Sequence, residues 1–557
     1  MNIMRLITNT TLLSLIATTA FTFQLNADVP NNQIPINMVV DANRIDTASK
    51  MGNKVSNYNY WDALNDMEPF DKSEGMDTSF VEYGQIMQAT GGDYRRDPFK
   101  DPKNFDVLDD YDFSKLINAC EILLKNNIKP YIKFSIPRKL SKSNFKGEYM
   151  NPFPPLDYEQ YYKFATAVCK ALTDKFGKEE CSTWRYGLFT EYENYGWFRT
   201  LDENPENTMK AYFKLFDYTV DAVQKNISPT AQIGAHAMSA NSSFWDPIEL
   251  LEHCANGTNY KTGKKGTKLD IFAISYYQHT PSRIQATPMI MRMLEAKAAA
   301  KRLGLNLIFG VDEGRMMSGT KGRDKADLLS RITGDSFQIP YEVKLAKTMY
   351  DNDIDYFASW GYSSNKPHKG FPHTSYYAAQ SVSKFKNCNR VKVLRYTMGK
   401  TQGHEVNGFA GFDKNANALR VMGYSLKQTY NDRFELPTQW RILAPQFAGK
   451  EVKISTLTMD YKSNFCDEFK KDRKIYNLKD SDFTWSPESV QLDLSRAWCD
   501  AKNHKLYMEK LRPKYVKMSK IEPVITTLKV GENGVIDLNH TFCGNSAVYF
   551  EITPVEK

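Results

Sequence analysis

The chain has 557 residues, more than one hydrophobic core usually organises, so we expect one large domain and one smaller domain. Its net charge of +8 comes from basic residues spread along the chain, which argues against a dedicated nucleic-acid-binding surface. The eight cysteines show no CxxC or metal-finger spacing, which excludes the zinc-ribbon and redox-motif classes. Their pairing cannot be predicted from spacing, and buried free thiols are at least as plausible as disulfides.

The N-terminus has the pattern of an export signal. One basic residue, Arg5, precedes an apolar stretch from Leu6 to Phe23, and small residues follow near Ala20 and Ala27. This pattern predicts a signal peptide over residues 1–27 and a soluble, exported protein, periplasmic or extracellular. The stretch is too polar for a good membrane span, and no later segment is apolar over about 18 residues.

Between Ile36 and about Phe385, short apolar runs alternate with amphipathic helical stretches, as in repeated βα units. Asp157 with Gln160 resembles a capping box, and Asn204 before a proline marks another helix start. The predicted helices include residues 116–124, 212–223, 290–303, 326–332, 341–352 and 375–385. The eight predicted strands are Ile36–Val40, Gly84–Gln88, Pro130–Ile136, Trp184–Phe189, Ala231–Ala235, Ile271–Tyr276, Asn306–Val311 and Tyr356–Trp360.

These strands and helices predict an α/β fold, a (β/α)8 TIM barrel over residues 28–390, ahead of an open doubly wound sheet. No Gly-rich nucleotide-binding loop follows any strand, which lowers the doubly wound alternative. After residue 390 the pattern changes to short alternating segments, which predicts a C-terminal β-sandwich domain over residues 391–557. Its predicted strands are residues 418–424, 452–457, 490–494, 535–538 and 548–552.

Two glutamates follow predicted strands at the barrel end where active sites form. The fourth strand segment, WRYGLFTEYENYGW, places Glu191 just after its apolar run, and the seventh, LNLIFGVDEGR, places Glu313 likewise. Their separation corresponds to about three βα units, as strands four and seven require. Cleavage of a glycosidic bond needs one protonated and one ionised carboxyl group, so the pair predicts glycoside hydrolysis. A surface position is the competing interpretation for either glutamate alone.

Neighbouring acids compete for both roles. Glu193 follows Glu191 by two residues and is its main rival as the acid if the chain stays extended. Asp312 is expected to point away from Glu313 if the strand continues, which makes it a weak rival for the nucleophile. The sequence favours Glu191 and Glu313 and leaves both alternatives open.

On these motifs the chain resembles the clan A glycoside hydrolases, and most closely family 39, which includes β-xylosidases and α-L-iduronidases. The family's fourth strand ends in Asn-Glu, where this chain has Thr190-Glu191, and its seventh often ends in Thr-Glu, matched here at Glu313. The resemblance implies a retaining double displacement with Glu191 as acid/base, Glu313 as nucleophile and no cofactor. Because Thr190 lacks the amide that binds the sugar 2-hydroxyl, we expect the sugar or its binding pose to differ.

Aromatic residues are predicted around the pair. Tyr276 or Tyr277, after the sixth strand, is expected to donate a hydrogen bond to the nucleophile and to favour its ionised form. Trp360, after the eighth strand, is a candidate floor for a sugar ring. For each of them, packing in the barrel wall is the competing interpretation.

Further polar residues are predicted at the same barrel end. His236 and His279 are candidates for binding sugar hydroxyls, with a structural role as the alternative. No third histidine or paired carboxylate accompanies them at ligand spacing, so no metal site is predicted. Arg138 and Arg315 are the one hint of a carboxylate-bearing sugar, and solvated loop cations are the competing interpretation.

The sequence therefore predicts a retaining, exo-acting glycosidase with a carbohydrate substrate and no nucleic-acid partner. Two alternatives stay open: an endo-acting glycanase on the same barrel, and a catalytically silent glycan-binding protein. The sugar, the linkage and the oligomeric state are not predicted.

Overall fold

A computed structural model describes residues 36–59, 75–87, 89–92, 97–144, 150–238, 244–278, 287–316, 338–359, 371–396, 405–427, 433, 435–477 and 505–556. The strands of these ranges form two sheets, a closed barrel and a nine-stranded mixed sheet. In chain order the strands are β1 (Ile36–Lys50), β2 (Asn57–Asn59), β3 (Tyr83–Ile86), β4 (Lys129–Phe134), β5 (Arg185–Leu188), β6 (Gln232–Ala237), β7 (Ile271–Gln278), β8 (Ile308–Met316), β9 (Tyr356–Ser359), β10 (Asn389–Tyr396), β11 (Glu405–Asp413), β12 (Ala418–Leu426), β13 (Glu435–Leu443), β14 (Glu451–Met459), β15 (Val524–Lys529), β16 (Val535–Cys543) and β17 (Ser546–Pro554).

The barrel is built from β2 to β9, all parallel, and it closes where β2 pairs with β9. Helices follow the later strands, as a TIM barrel requires. The side chains of Asp157 and Asn204 cap the helices that start after them, as predicted. The α-helices of the described ranges are α1 (Ser114–Lys125), α2 (Arg138–Ser141), α3 (Tyr158–Phe176), α4 (Lys178–Ser182), α5 (Pro205–Asn226), α6 (Glu249–Asn256), α7 (Thr287–Leu303), α8 (Gln338–Asn352), α9 (Thr374–Ser383), α10 (Cys466–Ile475) and α11 (Arg512–Ser519).

One predicted barrel strand is wrong. The apolar run Ile36–Val40 belongs to β1, which pairs antiparallel with β10 and parallel with β13 in the nine-stranded sheet. Met38 and Val40 are fully buried in the core of that sheet. The first barrel strand is instead β2, whose three residues carry no apolar run. An alternating apolar pattern predicts a strand but does not specify the sheet that it joins.

The nine-stranded sheet has the order β15-β14-β17-β12-β11-β10-β1-β13-β16 and curls over one core, consistent with the predicted β-sandwich. Trp440 on β13 packs on Phe550 on β17, with ring centroids 5.9 Å apart, although several strands lie between them in the sheet. Four of the five predicted sandwich strands are found, and residues 490–494 lie outside the described residues, as does the predicted helix over residues 326–332.

The barrel and the sheet share an apolar interface. Helix α8 packs against β11, β12 and β17. Phe409 of β11 meets the rings of Tyr350 and Phe385 at centroid distances of 5.0 and 4.8 Å. The sheet therefore packs on the outside of the barrel, against helix α8.

The predicted signal peptide, residues 1–27, lies outside the described residues. Across the helices that the structure describes, none has the length and apolar character needed to cross a membrane. Within the described ranges, six cysteines are buried free thiols: Cys120, Cys169, Cys181, Cys254, Cys388 and Cys543.

Candidate active site

Glu191 lies in the first turn after β5, at the C-terminal end of the barrel. Its φ angle of +51° is in the left-handed region, which residues other than glycine seldom adopt. Buried neighbours hold this turn in place, since Tyr192 stacks on Tyr212 of α5 with ring centroids 4.7 Å apart. Backbone strain of this kind is maintained only where the surroundings impose it, and it is concentrated at functional sites.

The loop after β5 also orients the Glu191 carboxylate. The indole N–H of Trp197 and the amide of Asn194 both donate to its Oε2 atom, over 2.6 and 3.0 Å. Because these N–H groups cannot accept a hydrogen bond, a proton on this carboxyl group has to sit on Oε1. Both donors lie within a few residues of Glu191, yet sequence reasoning missed them, because an aromatic or amide residue in a loop carries no signal of its own.

Glu193, the rival of Glu191, has a different environment. Its side chain is fully buried, and its Oε1 atom accepts a hydrogen bond of 2.7 Å from the backbone N–H of Met238, at the end of β6. Burial raises the pKa of Glu193 to about 8, with the charge of Glu191 adding to the effect. A neutral Glu193 therefore ties the loop after β5 to the neighbouring strand.

Glu313 lies on β8 and is buried at the barrel mouth. Of the two candidate tyrosines, Tyr277 donates a hydrogen bond of 2.6 Å to Oε2 of Glu313. Tyr276 packs its ring on Tyr341, with ring planes 15° apart. Burial raises the pKa of Glu313 to about 7, and the charge of Glu191 raises it further, whereas Tyr277, Lys133 and the hydroxyl of Thr190 act in the opposite direction. The two catalytic candidates are therefore close enough to repel each other.

A β-bulge aims Glu313. Ile274 of β7 is paired with Val311, and the next residue, Ser275, is paired with Glu313, so that Asp312 is an extra residue on β8. The same irregularity appears in the pairing with β9. A bulge re-aims the side chains around it and interrupts the alternation of a strand. Asp312 is expected to point away from Glu313 if the strand continues regularly, and the bulge shows that this condition is not met.

Asp312 lies inside the barrel, fully buried. Its Oδ2 atom forms an ion pair of 2.6 Å with the ammonium group of Lys133 on β4. Its Oδ1 atom accepts hydrogen bonds from Tyr356 of β9, over 2.6 Å, and from Gln85 of β3, over 3.3 Å. Gly310 makes room for the tyrosine, because a Cβ atom at this position would lie 2.2 Å from its ring.

His236 lies within β6, and both of its ring nitrogens have protein partners. Nδ1 is 2.8 Å from the ammonium group of Lys133, and Nε2 is 2.9 Å from the hydroxyl of Ser275. Since an ammonium group only donates, Nδ1 must accept, and the proton of the neutral ring belongs on Nε2. Burial, and then Lys133, hold the pKa of His236 well below its ordinary value. The predicted role in binding sugar hydroxyls does not fit, because no ring nitrogen is left for a ligand.

The remaining predicted residues are placed as follows. Arg138 starts the short helix α2 after β4, and its Nε atom donates to the carbonyl of Ser143 in its own segment. The backbone of Arg315 belongs to β8, while its side chain lies outside the described residues. Trp360 and His279 lie outside the described residues altogether.

The raised pKa of Glu313 predicts a pH-dependent cost to stability. Its pKa is about 7 in the folded chain against an ordinary value of 4.5, so the native state binds the extra proton between these pH values. The extra proton stabilises the folded chain. This stabilisation is fully present below pH 4.5 and is lost as the pH rises through 7. Replacing Glu313 with Gln abolishes the titration, so the unfolding free energy of the variant minus that of the wild type should grow over this window, by about 1 to 3 kcal/mol.

Denaturant unfolding at a series of pH values measures this difference, and Glu193→Gln is the matched comparison. Because the pKa of Glu193 is raised to about 8, the corresponding difference for its variant should keep growing to a higher pH. A difference that stays flat with pH for Glu313→Gln would contradict the electrostatic description of the site.

Residues 60–308 match the family model described as Glycosyl hydrolases family 39. Among curated proteins, a β-xylosidase of Geobacillus stearothermophilus is 29% identical over 26% of this chain, and a β-xylosidase of Caldicellulosiruptor saccharolyticus is 27% identical over 36%. The aligned segments span 28% and 37% of the lengths of these two relatives. An α-L-iduronidase of Homo sapiens is 19% identical over 29% of this chain and 23% of its own length.

Solved structures extend the likeness to both domains. A family 39 enzyme of Xanthomonas axonopodis pv. citri superposes with a TM-score of 0.61 at 14% identity, covering 95% of this chain and all of its own. A monomeric β-xylosidase of Caulobacter crescentus gives the same TM-score at 15% identity, over 93% of this chain and all of its own. At these identities the likeness establishes the fold, and residues 60–308 of the chain are similar to glycosyl hydrolases family 39.

Proposed function

We propose that the chain is a retaining glycosidase in which Glu191 is the acid/base and Glu313 the nucleophile. The observation that carries the proposal is the pair of buried, mutually repelling carboxyl groups at the ends of barrel strands four and seven. Each has its own orienting donors, Trp197 and Asn194 on one side and Tyr277 on the other. Two carboxyl groups in different environments are the requirement of glycoside cleavage.

In the first step, the Glu313 carboxylate attacks the anomeric carbon while the bond to the leaving oxygen breaks. Glu191 gives its proton to that oxygen. In the second step, Glu191 takes a proton from water, the water oxygen bonds to the anomeric carbon, and Glu313 leaves as a carboxylate. The proton that Glu191 delivers sits on Oε1, since Oε2 is occupied by two N–H donors.

The substrate class proposed is a glycoside of a pentose or of a uronic acid, released from a chain end by an exported enzyme. The support is indirect, from relatives described as β-xylosidases and α-L-iduronidases and from the export pattern of residues 1–27. Thr190, buried beside Glu313, replaces the amide that the resemblance leads one to expect before the acid/base. A hydroxyl group reaches less far than an amide, so we expect a sugar or a pose that differs at the 2-hydroxyl.

Aryl glycosides and oligosaccharides of xylose, arabinose, mannose and uronic acids test the proposal on the purified mature protein. We expect release of one terminal sugar, and the first-formed product, followed by proton NMR, should keep the anomeric configuration of the substrate. The Glu313→Gln variant should lose most of this activity. A first product of inverted configuration would contradict the double displacement, and binding without any hydrolysis would favour the silent glycan-binding protein.

A pair of conservative variants separates the two candidate acids. Glu191→Gln should lower turnover by roughly 10²- to 10⁴-fold at neutral pH, because the group that transfers the proton is lost. Glu193→Gln should change it less than about threefold, because the pKa near 8 already keeps Glu193 neutral there and glutamine still accepts from Met238.

Steady-state rates of the two variants on one aryl glycoside provide the measurement, and their melting temperatures control for folding. Equal losses in both variants, with unchanged melting temperatures, would show that Glu191 alone does not fill the role of acid.

A further inference from the structure

The Lys133–Asp312 ion pair lies beside the proposed nucleophile and has no part in the double displacement. Both side chains are entirely shielded from solvent, and their charged atoms are 2.6 Å apart. Hydrogen bonds extend from the pair to Tyr356, Gln85 and His236. Together with the bond from His236 to β7, this network links six of the eight barrel strands, β3, β4, β6, β7, β8 and β9.

Stability alone does not account for a buried ion pair. Removing two charges from water costs several kcal/mol per ion, and well-packed apolar side chains of similar size often stabilise as much or more. Lys133 lies in the strand Lys129–Phe134, among buried and mostly apolar residues, at a position where an apolar residue would fill the space. A charge kept at such a position indicates a functional role, and the nearest candidate is the carboxyl group that follows Asp312 in the chain.

We propose that Lys133 is a positioning residue for Glu313: through Asp312 it fixes the bulge that aims the nucleophile, and its positive charge favours the ionised form of that carboxyl group against the effect of burial. The proposal rests on the function proposed above. Lys133 touches neither of the reacting carboxyl groups in the described contacts; it acts on Glu313 through Asp312 and through space.

The charges around Glu313 agree with this role. Lys133 lowers the pKa of Glu313, against burial and against the charge of Glu191 on the β5 loop. Conversely, Asp312, Glu313 and Glu191 each favour the charged form of Lys133, whose pKa burial lowers. The other titratable groups around this network are Tyr277 on β7, Tyr356 on β9, Tyr131 on β4, Arg185 on β5 and His236 on β6, which is neutral. Arg185 lies over the ring of Tyr356, 5.5 Å from its centroid, whereas Lys133 is the cation that pairs with Asp312 and lowers the pKa of Glu313.

Three substitutions test the proposal by the direction in which each one moves the acid limb, the low-pH side of the pH profile of kcat/KM. Lys133→Met removes the cation and should move the acid limb of the kcat/KM profile upward, by roughly half to one pH unit. Asp312→Asn removes an anion next to Glu313 and should move the limb downward. The double variant Lys133→Met, Asp312→Asn leaves no uncompensated buried charge, so it keeps the test valid if the first variant unfolds, and its limb should still lie above that of the wild type.

Lys139→Met is the matched control. Lys139 is equally buried and forms an ion pair of 2.5 Å with the partly exposed Asp110, and it is not among the main groups that shift the pKa of Glu313. Its loss should cost stability in the same way as the loss of Lys133 and should leave the acid limb in place. A purely structural role of Lys133 predicts reduced rates in all variants without opposite movements of the limb.

A second readout needs no substrate. Each of these proteins is compared with a form of itself that also carries Glu313→Gln. The pH at which their unfolding free energies diverge reports the titration of Glu313 in the folded chain. We expect this midpoint to rise in Lys133→Met and in the double variant, to fall in Asp312→Asn, and to stay in Lys139→Met. Unchanged midpoints in the Lys133 variants, or an equal shift in Lys139→Met, would overturn the proposal. An absence of hydrolysis in the wild type would overturn only the proposed function.

Discussion

Two carboxyl groups that repel each other occupy one buried site in this molecule, and the surrounding side chains hold each of them in place despite that repulsion. Glu191 and Glu313 follow or lie on the fourth and seventh strands of a closed barrel, and barrel closure brings the C-terminal ends of these strands to one face. Burial and mutual repulsion raise the pKa of Glu313 to about 7. Two carboxyl groups in different environments are what the proposed double displacement requires.

The two sides of the site control their carboxyl groups by different means. On the β5 side, a left-handed turn and two N–H donors fix Glu191, while neutral Glu193 ties the loop to β6. On the β8 side, a bulge sets the direction of Glu313, and a hydrogen-bonded ion pair inside the barrel sets the bulge. Glu191, the proposed acid, is therefore held by its own loop, whereas Glu313, the proposed nucleophile, is held by side chains from distant strands. Changes in the loop after β5 and changes in the barrel interior should consequently have separable effects.

The sequence contains enough local signal for most of the fold. Alternating apolar runs and helical stripes predict seven of the eight barrel strands, and the ends of the fourth and seventh strands predict where both glutamates lie. The first strand could not be predicted, because Asn57–Asn59 is short and polar and the apolar run before it joins another sheet. Strand alternation also failed at Asp312, because a one-residue bulge is a property of pairing between strands and not of one strand.

The barrel-interior network was hidden for a related reason. Lys133 and Asp312 are 179 residues apart, and neither residue indicates its partner. A lysine in an apolar strand is compatible with an edge strand, a solvated end or a buried ion pair. Only the closure of the barrel, which brings β4 and β8 to face each other across its interior, selects the last of these. His236 likewise follows an apolar run, as a ligand-binding residue would. Its side chain is buried, and both ring nitrogens form hydrogen bonds within the protein.

Glu313 is proposed to bond covalently to the sugar, and trapping of the glycosyl-enzyme tests this bond most directly. An activated 2-deoxy-2-fluoro glycoside of the sugar that the enzyme accepts should slow the second step and leave the glycosyl group on the protein. Intact-mass measurement should show one added glycosyl group, and peptide mapping should place it on Glu313, with no label on Glu313→Gln. A label on Glu191, Glu193 or Asp312, or hydrolysis of the natural glycoside with no trapped species, would contradict the account.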